Sequence, residues 1–253
     1  MRILILLIFL LFPIKKEKVT QVFLIGDSTM ADYTLYDEDY KSKRYPLMGW
    51  GQVFQPFMAK DSLVKLKNLI KTDSVVVVDK ARGGRSTRTF FEEGRWAEVY
   101  KSIKEKDLVL IQFGHNDAAE NKPERYVNIQ GYKEYLRLYV NQTREKGGIP
   151  ILISPVNRNY PWKDGVLSNV HGDYPQAVKD VAKELNVKLI DLTQLACEFF
   201  TSKGQEYVSE KYFMNLPEGV YEAYPEGQKD NTHFQPEGAL EVARLVFKAL
   251  QSL

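Results

Sequence analysis

The sequence predicts an α/β protein, a three-layer α/β/α sandwich built around a five-stranded parallel sheet. Five short apolar runs recur along the chain, and each is followed by a turn and then by a segment with helical periodicity. The runs are continuous rather than alternating, which is typical of strands that are buried on both faces. A chain of 253 residues with 44% hydrophobic and 27% charged residues is long enough to bury such a core.

The predicted strands are separated by long stretches of chain. They are residues 22–25, 75–78, 108–113, 149–154 and 187–190. Four segments have few periodic apolar positions and many Tyr, Pro, Asn and Gly residues, so we expect functional loops there. These segments are residues 31–48, 114–131, 155–172 and 204–232.

Amphipathic helices are predicted to cover both faces of the sheet. Segment 132–146 has its apolar and aromatic residues on one side and stops at Gly147-Gly148, a signal for a helix C-terminus. Segment 177–185 repeats this pattern. The last helix opens with Pro236 in its first turn and is predicted to bury apolar residues between Ala239 and Leu250.

Charge and composition exclude several classes of partner. The formal net charge is +2, and residues 21–253 alone carry 31 basic and 32 acidic residues, a net charge of −1. A nucleic-acid partner is therefore not expected. One cysteine and three histidines are too few soft ligands for a structural zinc site, and we expect neither a metal nor a cofactor.

Residues 1–20 are predicted to be a targeting segment, followed by one domain over 21–253. The apolar run 3–12 is about half of the roughly 20 residues needed to span a bilayer and matches the core of a secretory signal. We expect a secreted or periplasmic protein. Since no small-residue cleavage site follows, the cleavage position stays open, and a retained N-terminal anchor is the alternative and the only expected membrane contact.

Polar residues that could carry chemistry follow the first three predicted strands. Ser28 follows the first strand, where it is either a nucleophile or an ordinary helix cap. Gly84 follows the second strand, and its backbone N–H could approach a ligand closely or simply serve a tight turn. Asn116 follows the third strand, as an amide donor or as part of an Asx turn.

A base is predicted just before the last helix. Asp230 and His233 are three residues apart, so the carboxylate could bind Nδ1–H and leave Nε2 to accept a proton, although an incidental pair in a solvated loop is the alternative. In a sheet of order 2-1-3-4-5, as in flavodoxin-like folds, ligands bind at the carboxyl ends of the strands around the first strand. That topology places Ser28 between Gly84 and Asn116.

The motifs resemble those of the SGNH or GDSL hydrolases over nearly the whole chain. Gly-Asp-Ser, the Gly84 motif, Gly-His-Asn-Asp and Asp-x-x-His occur in the order of that superfamily, and the details Gly-Asp-Ser-Thr-Met-Ala-Asp, Gly-Trp-Gly, Gly-Arg-Ser-Thr-Arg and Asp-Asn-Thr-His-Phe are similar to rhamnogalacturonan acetylesterases. The chain departs from the pattern at Ala81, where such families often have Asn.

The resemblance implies an esterase that deacetylates an acidic pectic polysaccharide through an acetyl-enzyme. It implies a nucleophile, two triad partners and oxyanion-hole residues, with the Ser28 N–H as a further donor: Ser28; Asp230 and His233; Gly84 and Asn116. Three other functions remain open: acetylesterase action on another glycan such as xylan, a lipase or thioesterase, and a non-catalytic carbohydrate-binding protein.

The remaining residues allow two interpretations each. Arg85 and Arg88 follow the oxyanion glycine on what is predicted to be the first helical turn, and could bind a uronate carboxylate. Alternatively, Arg85 braces Asp27 or Asp117 and Arg88 is solvated. His115 is the alternative base, although we expect it to brace its loop. The tyrosines of the first loop either stack on sugar rings or pack the loop: Tyr33, Tyr36, Tyr40 and Tyr45.

Overall fold

The computed structural model describes residues 18–253. The strands, in chain order, are β1 Val19–Gly26, β2 Ser74–Asp79, β3 Leu108–Gln112, β4 Ile149–Ile153, β5 Trp162–Lys163, β6 Val166–Leu167, β7 Lys188–Ile190, β8 Phe213–Leu216 and β9 Gln228–Phe234. Five of them form one all-parallel sheet in the order β2-β1-β3-β4-β7. The predicted sheet and its order are confirmed.

The helices, in chain order, are α1 Tyr40–Lys43, α2 Lys60–Leu63, α3 Thr87–Glu92, α4 Arg95–Ser102, α5 Ile129–Glu145, α6 Tyr174–Glu184, α7 Leu192–Lys203, α8 Gln205–Tyr207 and α9 Pro236–Leu250. Short 3-10 turns cover Tyr33–Leu35, Trp50–Val53, Gln55–Met58 and Val64–Leu66, and a π turn covers Val208–Tyr212. The three predicted amphipathic helices correspond to α5, α6 and α9.

The core lies in two layers, one on each face of the sheet. Along β1, Val22 and Leu24 belong to one layer, and Phe23 and Ile25 belong to the other. Helices α7 and α9 cover the first face, and α3 to α6 cover the second. All four β1 side chains are buried, which explains why the strand is continuously apolar.

The segment 204–232 is not the irregular loop that was predicted. It contains α8, the π turn, β8 and most of β9, and these two strands pair antiparallel. The register shifts from Met214–Asp230 to Phe213–Phe234, so residues 231–233 form a bulge in β9. Because β9 has only Phe234 fully buried, its sequence lacks the apolar pattern by which strands are recognised.

Residues 1–17 of the predicted targeting segment lie outside the described residues, and export stays a prediction. Within residues 18–253, no helix is both long and apolar enough to cross a membrane.

Candidate active site

The turn after β1 holds Ser28 in a buried hydrogen-bond network. Asp27 Oδ1 accepts hydrogen bonds from Thr29 N at 3.0 Å and from Thr29 Oγ1 at 2.9 Å. Gln112 Nε2, at the end of β3, donates to Thr29 Oγ1 at 2.8 Å, and Trp50 Nε1 donates to Gln112 Oε1 at 2.9 Å. Since these groups are buried and paired with one another, they fix the backbone that carries Ser28.

Two tyrosines join this turn to the loop after β2. Tyr33 Oη donates to the backbone oxygen of Ser28 at 3.0 Å, and Gly83 N donates to Tyr36 Oη at 2.7 Å. A Cβ atom built on Gly83 would lie 3.7 Å from Ser28 Cβ, so the loop and the serine are in contact distance. For Tyr33 and Tyr36, therefore, the structure favours loop packing over sugar stacking.

Three groups on the segments that follow β1, β2 and β3 have N–H protons to donate. Gly84 has φ +79°, a conformation that favours glycine. Among residues 18–253, the backbone N–H groups of Ser28 and Gly84 have no protein acceptor. Asn116, buried in the turn that follows β3, donates one amide proton to Arg85 O at 2.9 Å and has a second proton to offer. These donors can bind an oxyanion.

The Asp230 carboxylate orients His233. Asp230 Oδ2 lies 2.6 Å from His233 Nδ1, and Asp230 Oδ1 accepts the backbone N–H groups of Thr232 at 2.7 Å and His233 at 3.1 Å. A carboxylate accepts a hydrogen bond from Nδ1–H, so Nε2 of the neutral imidazole is left as the basic nitrogen. The β9 bulge thus brings together the two residues that the sequence paired.

The pKa of Asp230 lies below its ordinary value. Partial burial by itself raises this pKa, but the hydrogen bond and charge of His233, together with the two backbone N–H groups, lower it further than burial raises it. Asp230 therefore stays ionised at neutral pH beside the imidazole.

A short extended segment ties His233 to the serine turn. Met48 N donates to Phe234 O at 2.9 Å, and Trp50 N donates to Thr29 O at 3.0 Å. One strand-like stretch therefore contacts both the residue after His233 and the residue after the serine. Burial raises the pKa of Asp27, and the two hydrogen bonds from Thr29, followed by the charge of His233, partly lower it again.

His115 is placed as a brace for the loop. Its Nδ1 lies 3.1 Å from His171 Nε2, and both rings are buried. Burial and the charge of Arg158 lower the pKa of His171 to about 3, and burial followed by His171 and Arg158 lowers the pKa of His115 well below its ordinary value. The pair is neutral at neutral pH, which favours the bracing role over that of a base.

The two arginines predicted to bind substrate are engaged within the protein. Arg85 Nε lies 3.0 and 2.9 Å from the two carboxylate oxygens of Glu93, and Arg85 Nη1 donates to Gly83 O at 2.8 Å. Arg88 donates to Glu92 at 3.2 Å and to Pro123 O at 3.0 Å.

Three details of that expectation are wrong. Arg85 precedes α3, which begins at Thr87 with Ser86 as its cap, so the two arginines do not share the first turn. The acceptors of Arg85 are Glu93 and a backbone oxygen instead of Asp27 or Asp117, and Arg88 is not simply solvated. The structure therefore favours a bracing role for both.

Some supporting residues were not predicted from the sequence. Gln112 is a polar residue at the end of an otherwise apolar strand. This departure from the apolar pattern could have indicated its supporting role from the sequence. Trp50 lies in the noted Gly-Trp-Gly motif, where Gly49 and Gly51 allow close backbone approach. A Cβ on Gly49 would lie 2.3 Å from Ala31 O.

Comparison with known proteins gives a family match and several similar relatives. The model of the GDSL-like Lipase/Acylhydrolase family matches residues 24–239. The probable rhamnogalacturonan acetylesterase YesY of Bacillus subtilis strain 168 is 39% identical over 233 residues, 92% of this chain and 93% of that protein. The rhamnogalacturonan acetylesterase RhgT of the same strain is 35% identical over 237 residues, 94% of this chain and 92% of that protein.

Solved structures share the fold. The crystal structure of Bacillus subtilis YxiM superposes with a TM-score of 0.73 at 26% identity, over 93% of this chain and 57% of that chain. A structure of Axe2, an acetylxylan esterase of Geobacillus stearothermophilus, superposes with a TM-score of 0.57 at 18% identity, over 91% of this chain and 94% of that chain. The family model spans β1 to the start of α9, with all five predicted site residues inside it, and the chain therefore belongs to the GDSL-like lipase/acylhydrolase family.

Proposed function

We propose that the protein is a serine esterase that removes acetyl groups from rhamnogalacturonan. The observation that carries the proposal is the Asp230–His233 pair, 2.6 Å apart, tied to a serine turn that is lined by hydrogen-bond donors. The substrate class is supported by two relatives with 35–39% identity over most of both chains, whose names describe rhamnogalacturonan acetylesterases.

The first half of the reaction forms an acetyl-enzyme. Ser28 Oγ attacks the ester carbonyl carbon while His233 Nε2 takes the hydroxyl proton, and Asp230 stabilises the imidazolium that results. The carbonyl oxygen becomes an oxyanion held by the N–H groups of Ser28 and Gly84 and by the Asn116 amide. Each such donor contributes about 2.7–4 kcal/mol to the transition state when it is preorganised.

His233 then gives its proton to the departing sugar oxygen, and the C–O bond of the ester breaks to leave acetyl on Ser28, which completes the first half. The second half returns the enzyme to its starting state. A water molecule attacks the acetyl carbonyl while His233 takes a proton from it. The tetrahedral intermediate then collapses to acetate as the bond to Ser28 Oγ breaks and His233 returns the proton to Oγ.

The experiment that tests this proposal measures acetate release from a panel of esters. Acetylated rhamnogalacturonan should be hydrolysed faster than acetylated xylan, and aryl acetate faster than aryl octanoate. A preference for octanoate would assign the protein to the lipases. A preference for acetylated xylan would show that xylan is the glycan substrate in place of rhamnogalacturonan. Binding of pectin without hydrolysis of any ester would indicate a carbohydrate-binding protein.

Variants connect the activity to the proposed residues. Ser28→Ala should abolish ester hydrolysis while circular dichroism stays unchanged, because only this hydroxyl becomes acylated. His233→Ala should lose a similar factor, and the double variant little more, since the members of a triad act as a unit. Near-normal turnover by either single variant would contradict the assignment.

A further inference from the structure

A cavity of about 380 Å³ lies beside the oxyanion donors, between the segments that follow β3 and β4. Asn116 forms part of its wall. Three basic side chains, Lys122, Arg125 and Arg158, also line it, and no carboxylate does. Within residues 18–253, these three side chains form no salt bridge. The cavity is thus strongly cationic.

The two guanidinium groups are partly buried. Arg158 is held at the cavity wall, since it donates to Tyr160 Oη at 2.8 Å and to His115 O at 3.3 Å. In the described part of the chain, the Nε atoms of both Arg125 and Arg158 are buried and have no acceptor. Buried donors of a charged group are costly when they are not paired, so a cavity of this kind favours an anionic ligand.

The cavity lies directly beside the predicted reaction centre. A Cβ atom built on Gly84 would lie 3.6 Å from Arg125 Nη1. Asn116 connects the two regions, because it lines the cavity and donates to the residue after Gly84. An ester bound at Ser28 therefore places the adjoining part of its polymer over the basic side chains.

The chemistry of the proposed substrate matches this cavity. Rhamnogalacturonan carries a carboxylate on alternate sugars, so any acetylated sugar either has a carboxylate or is next to one. A guanidinium group binds a carboxylate through two parallel hydrogen bonds, which fixes position as well as charge. Residues 21–253 have a net charge of −1, so attraction for a polyanion must come from a local group of cations.

We infer that Arg125, Arg158 and Lys122 form a subsite that binds a uronate carboxylate of the polysaccharide and positions the neighbouring acetyl ester at Ser28. This inference rests on the proposed function. It assigns to the cavity the role that the sequence had suggested for Arg85 and Arg88, both of which have carboxylate partners of their own.

The test compares an acetylated rhamnogalacturonan oligosaccharide with the same oligosaccharide after methyl esterification of its carboxylates. For the wild type, kcat/KM should fall by about 10–100-fold on the esterified substrate, because a charge-assisted hydrogen bond is lost. Arg125→Gln and Arg158→Gln should lose a similar factor on the acidic substrate and much less on the esterified one. The loss should appear mainly in KM, and added salt should raise the wild-type KM through screening.

Arg144→Gln is the matched control. Arg144 also lacks a carboxylate partner within residues 18–253, but it donates to Leu185 O at 2.9 Å and Asn186 O at 3.0 Å, near the amino ends of the strands, whereas the cavity lies at their carboxyl ends. Arg144→Gln changes the net charge by the same amount as Arg125→Gln or Arg158→Gln. The ratio of kcat/KM on the acidic and the esterified oligosaccharide should nevertheless stay at the wild-type value. Arg125→Lys keeps the positive charge, so it should retain part of the preference for the acidic oligosaccharide that Arg125→Gln loses.

The outcomes separate this inference from the proposed function. Equal wild-type activity on both oligosaccharides would overturn the subsite while acetylesterase action on rhamnogalacturonan stands. Equal losses on both substrates for the Arg125 and Arg158 variants would show that these arginines support the structure instead. If neither oligosaccharide were deacetylated while aryl acetate was still hydrolysed, the substrate class would be wrong and the subsite would fall with it.

Discussion

Asp230 contacts His233 through both of its carboxylate oxygens. Oδ2 binds the imidazole Nδ1, and Oδ1 accepts the backbone N–H of the same residue. One side chain therefore fixes the ring and the backbone that carries it. Because the pKa of Asp230 is lowered, its carboxylate stays negatively charged while His233 accepts a proton.

Asp230→Asn should lower kcat on aryl acetate by about 10³–10⁴-fold near neutral pH, since the amide neither fixes the right tautomer nor stabilises an imidazolium. KM should change far less. Asp61→Asn, an exposed substitution in α2, should keep wild-type kinetics. A kcat within tenfold of the wild type would show that Asp230 does not orient the base.

The loop 80–86, which follows β2 and carries Gly84, is called the oxyanion loop below. Tyr36 supports this loop through one hydrogen bond. Its hydroxyl accepts the N–H of Gly83, the residue before Gly84, and the guanidinium of Arg82 lies 3.6 Å from the centre of its ring. Because Tyr36 contacts the loop and has no part in the proton transfers, it is a positioning residue.

Tyr36→Phe should lower kcat by about 5–30-fold, the effect of leaving one buried donor unpaired, with a smaller change in KM. Steady-state kinetics on aryl acetate measure both parameters. Tyr40→Phe is the matched control, since that hydroxyl donates to Leu47 O at 2.8 Å and contacts no part of the oxyanion loop. The same loss in both variants would mean that Tyr36 has no specific influence on Gly84.

The start of α9 packs against the π turn Val208–Tyr212, and this contact fixes the position of β9. Gln235 N donates to Tyr212 O at 2.9 Å. Gly238, in the first turn of α9, allows the close approach, because a Cβ atom there would lie 2.3 Å from Tyr212 O. Since only two residues separate His233 from α9, the helix and the imidazole share one anchor.

Gly238→Ala should destabilise the protein by about 1–3 kcal/mol, although helix propensity alone favours alanine by about 1 kcal/mol. The clash with Tyr212 outweighs the propensity, so Tm should fall by about 2–12 °C in a domain of this size. Activity should fall as well, because His233 moves with the helix. Lys248→Ala, at an exposed position of α9, should leave Tm within about 2 °C of the wild type. An unchanged or raised Tm for Gly238→Ala would contradict the close contact.

Buried titratable groups near the carboxyl ends of the strands change the stability of the folded protein with pH, and they do so in opposite directions. Burial raises the pKa of Asp117 to about 7, in spite of the hydrogen bonds that its Oδ1 accepts from Thr87. Its contribution to stability is present below about pH 4, where the unfolded carboxyl is also protonated, and is lost as the pH rises through about 7. The neutral His115–His171 pair acts in the opposite direction, since its contribution is lost as the pH falls below about 6.5.

Asp117→Asn should isolate the carboxyl part of this pH dependence. The difference in the free energy of unfolding between wild type and variant should fall by up to about 1.4 kcal/mol per pH unit between pH 4 and 7. Urea unfolding at four pH values in this range measures it. The Asp180→Asn difference should stay flat above pH 5, because Lys133 holds the pKa of the partly exposed Asp180 below its ordinary value. A constant Asp117→Asn difference would show that Asp117 is ionised in the folded protein.

The sequence by itself determined the sheet and the placement of the chemical groups. A continuous run such as that of β1 has to be buried on both faces, and such strands pair in parallel and meet at their carboxyl ends. Ser28, Gly84 and Asn116 follow three adjacent strands, so their proximity follows from strand order. Asp230 and His233 are close in sequence, which makes their contact a local property.

Only the tertiary structure decided the pairing of charges and the path of the polar segments. Strand β9 has one buried large side chain and takes its conformation from pairing with β8, so its sequence carries no strand pattern. Arg85 and Arg125 are equally charged in the sequence, yet Arg85 lies beside Glu93, whereas Arg125 lines a cavity without a carboxylate. The physical reason is that burial follows from local hydrophobic periodicity, whereas the partner of a surface charge depends on how distant loops approach one another.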